Sequence, residues 1–186
     1  RCIVIAGGEK AFAAGADLGE QEDLGPVGMM LHDTGRIWDA IAMFPKPIIS
    51  AVRGYALGGG FELALITDII IAGESAVFAL PEVRLGQLPG GGGTRRLVRL
   101  VGKHLAMELL LSGRRFSAAD AFRMGIVNRV VPDAEVEEVA VRLAAEIAGL
   151  PPLAVRQVKE VTLRGAEGPL SLGLLLERRA GQVLYD

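Results

Sequence analysis

The spacing of apolar residues changes several times along this chain, and each change marks an element. Short aliphatic runs at 1–7 (RCIVIAG), 48–52 (IISAV), 68–73 (DIIIAG), 76–80 (AVFAL) and 126–131 (IVNRVV) predict strands, most of them buried. Between 26 and 44 the period lengthens: Met30, Ile37, Ile41 and Phe44 are interspersed with His32, Asp33, Arg36 and Asp39. That pattern predicts an amphipathic helix, ended by Pro45 and Pro47. Phe61 onward predicts a helix wedged between the strands at 48–52 and 68–73.

Further helices are predicted at 94–100 and 103–111. Another is opened by Ser117 and Asp120 in a capping-box-like pair and stopped by Gly125. Beyond Pro132, Val136, Val139, Ala140, Leu143 and Ile147 recur at helical spacing up to Gly149, and Pro151 and Pro152 open one more helix. Leu170, Leu172 and Leu174 to Leu176 are too apolar for a lone exposed helix and predict a partner surface. The strand, turn, helix, strand rhythm predicts an α/β fold with parallel or mixed sheet layers and helices outside. No internal repeat or linker stands out. The first strand begins at the second residue with no turn before it, so an earlier part of the domain is expected to be missing.

Composition narrows the class. The chain has 186 residues, 51% of them hydrophobic, enough to bury one core, so a single domain is expected. A net charge of −2 gives no general attraction to nucleic acid or anionic membrane. Clustered arginines at 95, 96 and 99, at 114 and 115, and at 178 and 179 are read as solvated faces or intersubunit ion pairs, because no aromatic residues are interleaved with them. The single Cys2 excludes a disulfide framework and favours a reducing compartment. With no signal peptide and every apolar run interrupted, a soluble, cytoplasmic protein is the expectation. His32 and His104 lie far apart and in no HExxH or CxxC arrangement, so no metal site is called for. No GxGxxG, GxxxxGK[ST] or GxSxG is present, which sets aside nucleotide binding and serine hydrolysis.

Two glycine-rich segments carry the chemistry: GYALGGGFELAL at 54–65 and PEVRLGQLPGGGGTRR at 81–96, each with one glutamate beside exposed backbone. Gly58, Gly59 and Gly60 let the backbone approach a ligand closely, at the start of a helix whose amides point back at the turn. The loop AFAAGADL at 11–18 supplies a second donor, the N–H of Ala16, to face that of Gly59 as an oxyanion hole. Glu62 falls in the first turn of the helix, and Glu82 follows a proline after the strand at 76–80. Two neighbouring carboxylates separate in pKa, one serving as acid and the other as base. Taken singly, Glu62 reads as an exposed dipole-complementing residue, Glu82 as a solvated loop charge, 90–93 as a flexible loop and Asp17 as a helix N-cap.

FAAGADL at 12–18, PKPIISAVRGYALGGGFELAL at 45–65, the run at 68–97 and AADAFRMGIVNRVV at 118–131 together resemble the enoyl-CoA hydratase/isomerase (crotonase) superfamily, and its hydratases most. The resemblance implies a crotonase (ClpP-like) spiral of repeated ββα units. Residues 1–132 would form the spiral core and 133–186 a C-terminal helical trimerisation region, short of the family's usual final segment. It implies an oxyanion hole at Ala16 and Gly59, water activation by Glu62, proton delivery by Glu82, and orientation of the water and carboxylate by Gly90. CoA contacts would come from Ala14, Ala16, Asp17, Leu18 and Gly59. Coenzyme A enters as part of the substrate, with no separate cofactor. The assembly would be a homotrimer or a dimer of trimers, and the setting fatty-acid β-oxidation. The leading expectation is hydration of a trans-2-enoyl-CoA. An enoyl-CoA isomerase or other acyl-CoA enzyme of the same fold, and a non-catalytic acyl-CoA-binding or assembly subunit, stay open.

Overall fold

The computed structural model describes residues 1–17, 19, 25–31 and 35–185, apart from the side chains of 26, 29 and 30. Two four-stranded sheets form the frame. The first has the order β1 (Ile3–Ala6), β3 (Ile48–Val52), β5 (Ile69–Gly73), β8 (Arg129–Val131), all parallel. The second has the order β2 (Ala11–Ala13), β4 (Tyr55–Leu57), β6 (Val77–Ala79), β7 (Phe116–Ser117), parallel except for its last pair. From β1 to β6 successive strands alternate between the sheets, and each turn of chain sets its pair beside the previous pair; β7 then stays in the second sheet and β8 returns to the first. The backbone therefore repeats strand, strand, helix, although the sequence shows no repeat.

The first sheet explains itself by alternation. In β3, Ile49 and Ala51 face one way and Val52 the other, and all five of its residues are buried. Val52, Ile70 and Ala72 point toward the second sheet and join a core that holds Phe61, Phe78 and Phe116. Those three rings pack pairwise with centroids 5.3, 5.6 and 5.8 Å apart. Ile49, Ala51 and Ile71 face outward, where Val136, Val139, Ala140 and Ala144 of the helix Val136–Gly149 cover them. The helical region predicted after 132 thus begins with a helix that belongs to the core.

Helices fill the remaining positions in chain order. They are α1 (Gly25–Leu31), α2 (Gly35–Ala42), α3 (Gly59–Ile66), α4 (Gly93–Val101), α5 (Lys103–Ser112), α6 (Ala118–Arg123), α7 (Val136–Gly149), α8 (Pro152–Gly165) and α9 (Leu170–Gln182). The capping box of α6 is present: Ser117 Oγ accepts the Asp120 N–H at 3.1 Å, and Asp120 Oδ2 accepts the Ser117 N–H at 3.2 Å. The helix expected over 26–44 is described as α1 and α2, with His32 and Asp33 outside the described residues. Of the expected face Ile41 and Phe44 are part-buried, but Ile37 is 64% exposed and Trp38 beside it is part-buried in its place.

Apart from Glu62, α3 is apolar on all sides, so it is surrounded by protein. Thr67 ends it: its hydroxyl lies 2.8 Å from the Ala64 carbonyl oxygen and 3.0 Å from Ser50 Oγ, both inside the core. Thr67→Val keeps the shape but leaves the buried Ser50 hydroxyl without this partner. The urea midpoint should fall by the equivalent of about 1–3 kcal/mol, with an unchanged m-value.

α8 and α9 pair as a hairpin that buries none of its own residues fully. It is tied to the core by Lys159, whose Nζ lies 2.7 Å from Asp68 Oδ2 and 2.9 Å from the Lys46 carbonyl oxygen. Asp68 Oδ2 also accepts the Ile48 N–H at 2.7 Å.

Candidate active site

The chain leaves β4 at Leu57 and must turn into α3 within one residue. Gly58 makes that turn with φ +54°, a conformation open to glycine and costly for other residues. The turn is pinned by its N–H, which donates to the Ala79 carbonyl at 2.9 Å, and by its own carbonyl, which accepts the Glu62 N–H at 2.9 Å. Next, Gly60 sits so tightly on β2 that a Cβ there would be 2.0 Å from the Ala13 carbonyl oxygen. This contact brings the loop after β2 onto the start of α3.

Gly15, at φ +102°, lies against the same turn: a Cβ there would be 3.2 Å from the Leu57 carbonyl oxygen and 3.4 Å from the Gly59 nitrogen. A Cβ on Gly59 would be 3.8 Å from the Ala16 nitrogen. The Ala16 and Gly59 amides are thus neighbours, and neither N–H donates to an acceptor among the described residues. Ala14, Ala16 and Asp17 are exposed along this loop. Asp17 Oδ1 accepts the Gly19 N–H at 2.9 Å, which closes a local turn, and the next described helix begins at Gly25. A helix start at Asp17 would rest on residues 18 and 20–24, which lie outside the described residues. Leu18 lies outside the described residues.

Glu62 is 3% exposed. It stands in the first turn of α3, and its Oε1 accepts the N–H of Gly93, the first residue of α4, at 2.7 Å. The carboxylate thus meets the positive ends of two helices. Its Oε2 lies beside Gly91, where a Cβ would approach to 3.0 Å. Gly93 and Gly91 hold this side chain, while Gly90 is exposed with open space at its Cα.

Glu82 opens a 3-10 turn over Glu82–Leu85. Its Oε1 faces Gly58, 3.0 Å from where a Cβ would be, and its buried Oε2 has no hydrogen-bond partner among the described residues. Burial pushes its pKa above the ordinary glutamate value; a hydrogen bond from its own backbone opposes this, and the charge of Glu62 adds to the rise.

Trp38 of α2 completes the site, and the pattern of apolar positions did not single it out. Its indole fills the space between the two glycine segments: a Cβ on Gly59 would be 3.7 Å from Cζ2, and one on Gly91 would be 2.8 Å from Cε2. The available signal was the spacing of Trp38, Ile41 and Ala42, which shares a helical face in place of Ile37 and Ile41. Glu62 and Glu82 therefore flank one glycine turn beside the Ala16 and Gly59 amides, under an aromatic wall. Two carboxylates beside a pair of amides can move protons next to a carbonyl. A separate concavity lined by Arg1, Pro45, Lys46, Ile147, Leu150 and Pro152 has no carboxylate in its lining. Among the described residues no cluster of three or more His, Cys, Asp or Glu is arranged to hold a metal ion, and no helix is long and apolar enough to cross a membrane.

The chain as a whole is similar to known proteins. The enoyl-CoA hydratase/isomerase family model matches residues 1–182. A Rhizobium meliloti protein described as a probable enoyl-CoA hydratase is 50% identical over 184 residues, covering 98% of this chain and 71% of that protein. A probable mitochondrial enoyl-CoA hydratase of Dictyostelium discoideum is 48% identical over 177 residues, 95% of this chain. The chain spans 64% of the length of that Dictyostelium protein. Among solved structures, an enoyl-CoA hydratase subunit of Geobacillus kaustophilus superimposes with a TM-score of 0.97 at 44% identity, over all of this chain and 72% of the other.

Proposed function

The chain belongs to the enoyl-CoA hydratase/isomerase family, and from that premise we propose that it adds water across the double bond of a trans-2-enoyl-CoA. The observation that carries this reading is the pair of carboxylates on one glycine turn, with Glu82 shifted toward its protonated form and Glu62 held as a hydrogen-bond acceptor at two helix starts.

The thioester oxygen takes the N–H groups of Ala16 and Gly59, so negative charge that develops there as the enolate forms is met by fixed donors. Glu62 accepts a proton from water as the water oxygen bonds to C3. The electron pair of the double bond moves toward the thioester oxygen, and Glu82 returns a proton to C2. Both carboxylates flank one turn, so oxygen and hydrogen arrive on the same face of the double bond, a syn addition. One proton is taken from water and one is given to carbon, so the pair keeps its proton count and is reset when the proton on Glu62 passes to Glu82, directly or through water. Gly90, exposed beside the segment that holds Glu62, offers its backbone N–H to orient the water and the carboxylate. Main-chain groups of Ala14, Ala16 and Asp17 lie at the mouth of the site and take the CoA side of the substrate, which also contacts Gly59. Leu170, Leu172 and Leu174 on α9, exposed on the single chain, supply the apolar surface of a homotrimer.

Crotonyl-CoA tests the reading, because hydration removes the conjugated enoyl-thioester absorbance. A steady fall in that absorbance is expected, with 3-hydroxybutyryl-CoA as the product. If the absorbance stays constant while a 3-enoyl-CoA gains it, the chain is an isomerase and the proposal of hydration is wrong.

A further inference from the structure

The glycine run that holds Glu62 is itself held by a cation that the scheme above leaves unused. Arg96, in α4, is half-buried and turns back on the start of its own helix. Its Nη1 donates to the Gly91 carbonyl at 2.7 Å and lies so close over Gly92 that a Cβ there would be 2.0 Å away. Nothing about helix stability asks for this. A guanidinium at a helix N-terminus opposes the macrodipole, and Arg99 one turn on adds like charge. Burial weakens the charged form further and pulls the Arg96 pKa below its ordinary value. What offsets these costs is negative charge from three directions: Glu62 of α3 foremost, then Asp39 of α2 and Glu167 beyond α8.

The segment that Arg96 grips is also the one that grips Glu62. Gly91, whose carbonyl it binds, lies against Glu62 Oε2, and Gly93, two residues on, donates to Oε1. Gly92 between them has φ +101° and no side chain to fix it. We infer that Arg96 is a positioning residue for Glu62: it latches the Gly91–Gly93 turn so that the Gly93 N–H stays on Oε1 and Oε2 stays directed at the reacting water. This rests on the assignment of Glu62 as the group that activates water. Arg96 touches no substrate atom and acts through the carboxylate.

Two readouts test it on the chain as it stands. The first is the Gly93 amide, followed by its proton chemical shift and hydrogen exchange in the parent, Glu62→Gln, Arg96→Gln and Arg96→Lys. Arg96→Gln should move the Gly93 signal and speed its exchange, as Glu62→Gln does, and Arg96→Lys should restore part of the protection. The second is crotonyl-CoA kinetics. Arg96→Gln should lower kcat by roughly 10²-fold, the cost of a displaced catalytic group, with KM changed less than about threefold, since uniform binding is untouched. In a Glu62→Gln background the Arg96→Gln change should cost nothing further, because residues that act as a unit do not add. A Gly93 amide unmoved by Arg96→Gln, or losses that multiply in the double variant, overturns the inference. Should the parent leave crotonyl-CoA untouched, the hydratase reading falls and the amide measurement alone decides the role of Arg96.

Discussion

Glu82→Gln should lower crotonyl-CoA turnover by about two to four orders of magnitude, the usual worth of a positioned acid or base, and leave the protein at least as stable as the parent at neutral pH. The two halves of this result have one cause. Glu82 places Oε2 in a buried position with no partner among the described residues. Its pKa is raised by burial first, with the charge of Glu62 also pushing it up. A carboxyl group whose folded pKa is raised binds its proton more tightly in the folded state than in the unfolded chain. Its contribution to stability is therefore present at low pH and declines as pH climbs from the ordinary glutamate range through the raised value. Glutamine keeps the shape, carries no charge and removes that decline. The parent should lose thermal stability relative to Glu82→Gln across that window, and the two melting curves should converge below it. A variant that turns over crotonyl-CoA like the parent would remove Glu82 from the mechanism; one that melts well below the parent at neutral pH would mean the ionised carboxylate has a structural partner.

Gly60→Ala should be severely damaging for a single added methyl group. The added carbon would lie 2.0 Å from the Ala13 carbonyl oxygen, 2.5 Å from its carbonyl carbon and 2.8 Å from its Cβ. Two of the three are backbone atoms, so no flexible side chain can swing aside, and α3 must separate from β2. Overpacking of this kind costs up to about 3 kcal/mol. The larger effect is on function, because the same contact sets the Ala16 loop against Gly59, and loss of one oxyanion donor alone costs about 10²- to 10³-fold. Gly59→Ala is the informative control. Its methyl would meet Gly15 Cα, Trp38 Cζ2 and the Ala16 nitrogen at 3.6 to 3.8 Å, ordinary contact distances. That variant should melt close to the parent yet lose turnover, since the methyl stands beside the amides themselves. Equal melting temperatures for Gly60→Ala and Gly59→Ala would show that the close approach of α3 to β2 is not as described.

The same contrast separates what the amino-acid order decides from what the tertiary structure adds. The strands of the first sheet were legible because they are fully or largely apolar: IISAV became β3 without a change of boundary, and DIIIAG differs from β5 by one residue. The capping box at Ser117, the glycine stop at Gly125 and the α7 stripe were legible because caps and helical spacing are local properties of the chain. Of the second sheet only β6 was legible, within AVFAL. Its strands β2, β4 and β7 are three, three and two residues long, too short to show any period, and they exist only because the parallel ladder of the first sheet lays each next segment beside the last.

The site divides in the same way. Glu62, Glu82, Ala16 and Gly59 could be named because glycine-rich turns and nearby carboxylates announce themselves in sequence, and the family resemblance set them in one place. That Gly93 holds Glu62, that Trp38 closes the wall and that Arg96 grips the Gly91 carbonyl could not be named. The Glu62–Gly93 bond joins residues 31 apart, and no spacing rule connects a helix start to a side chain on a different helix. Local chemistry is written in the order of residues; which amide meets which carboxylate is decided only when two sheets have set the helix ends against each other.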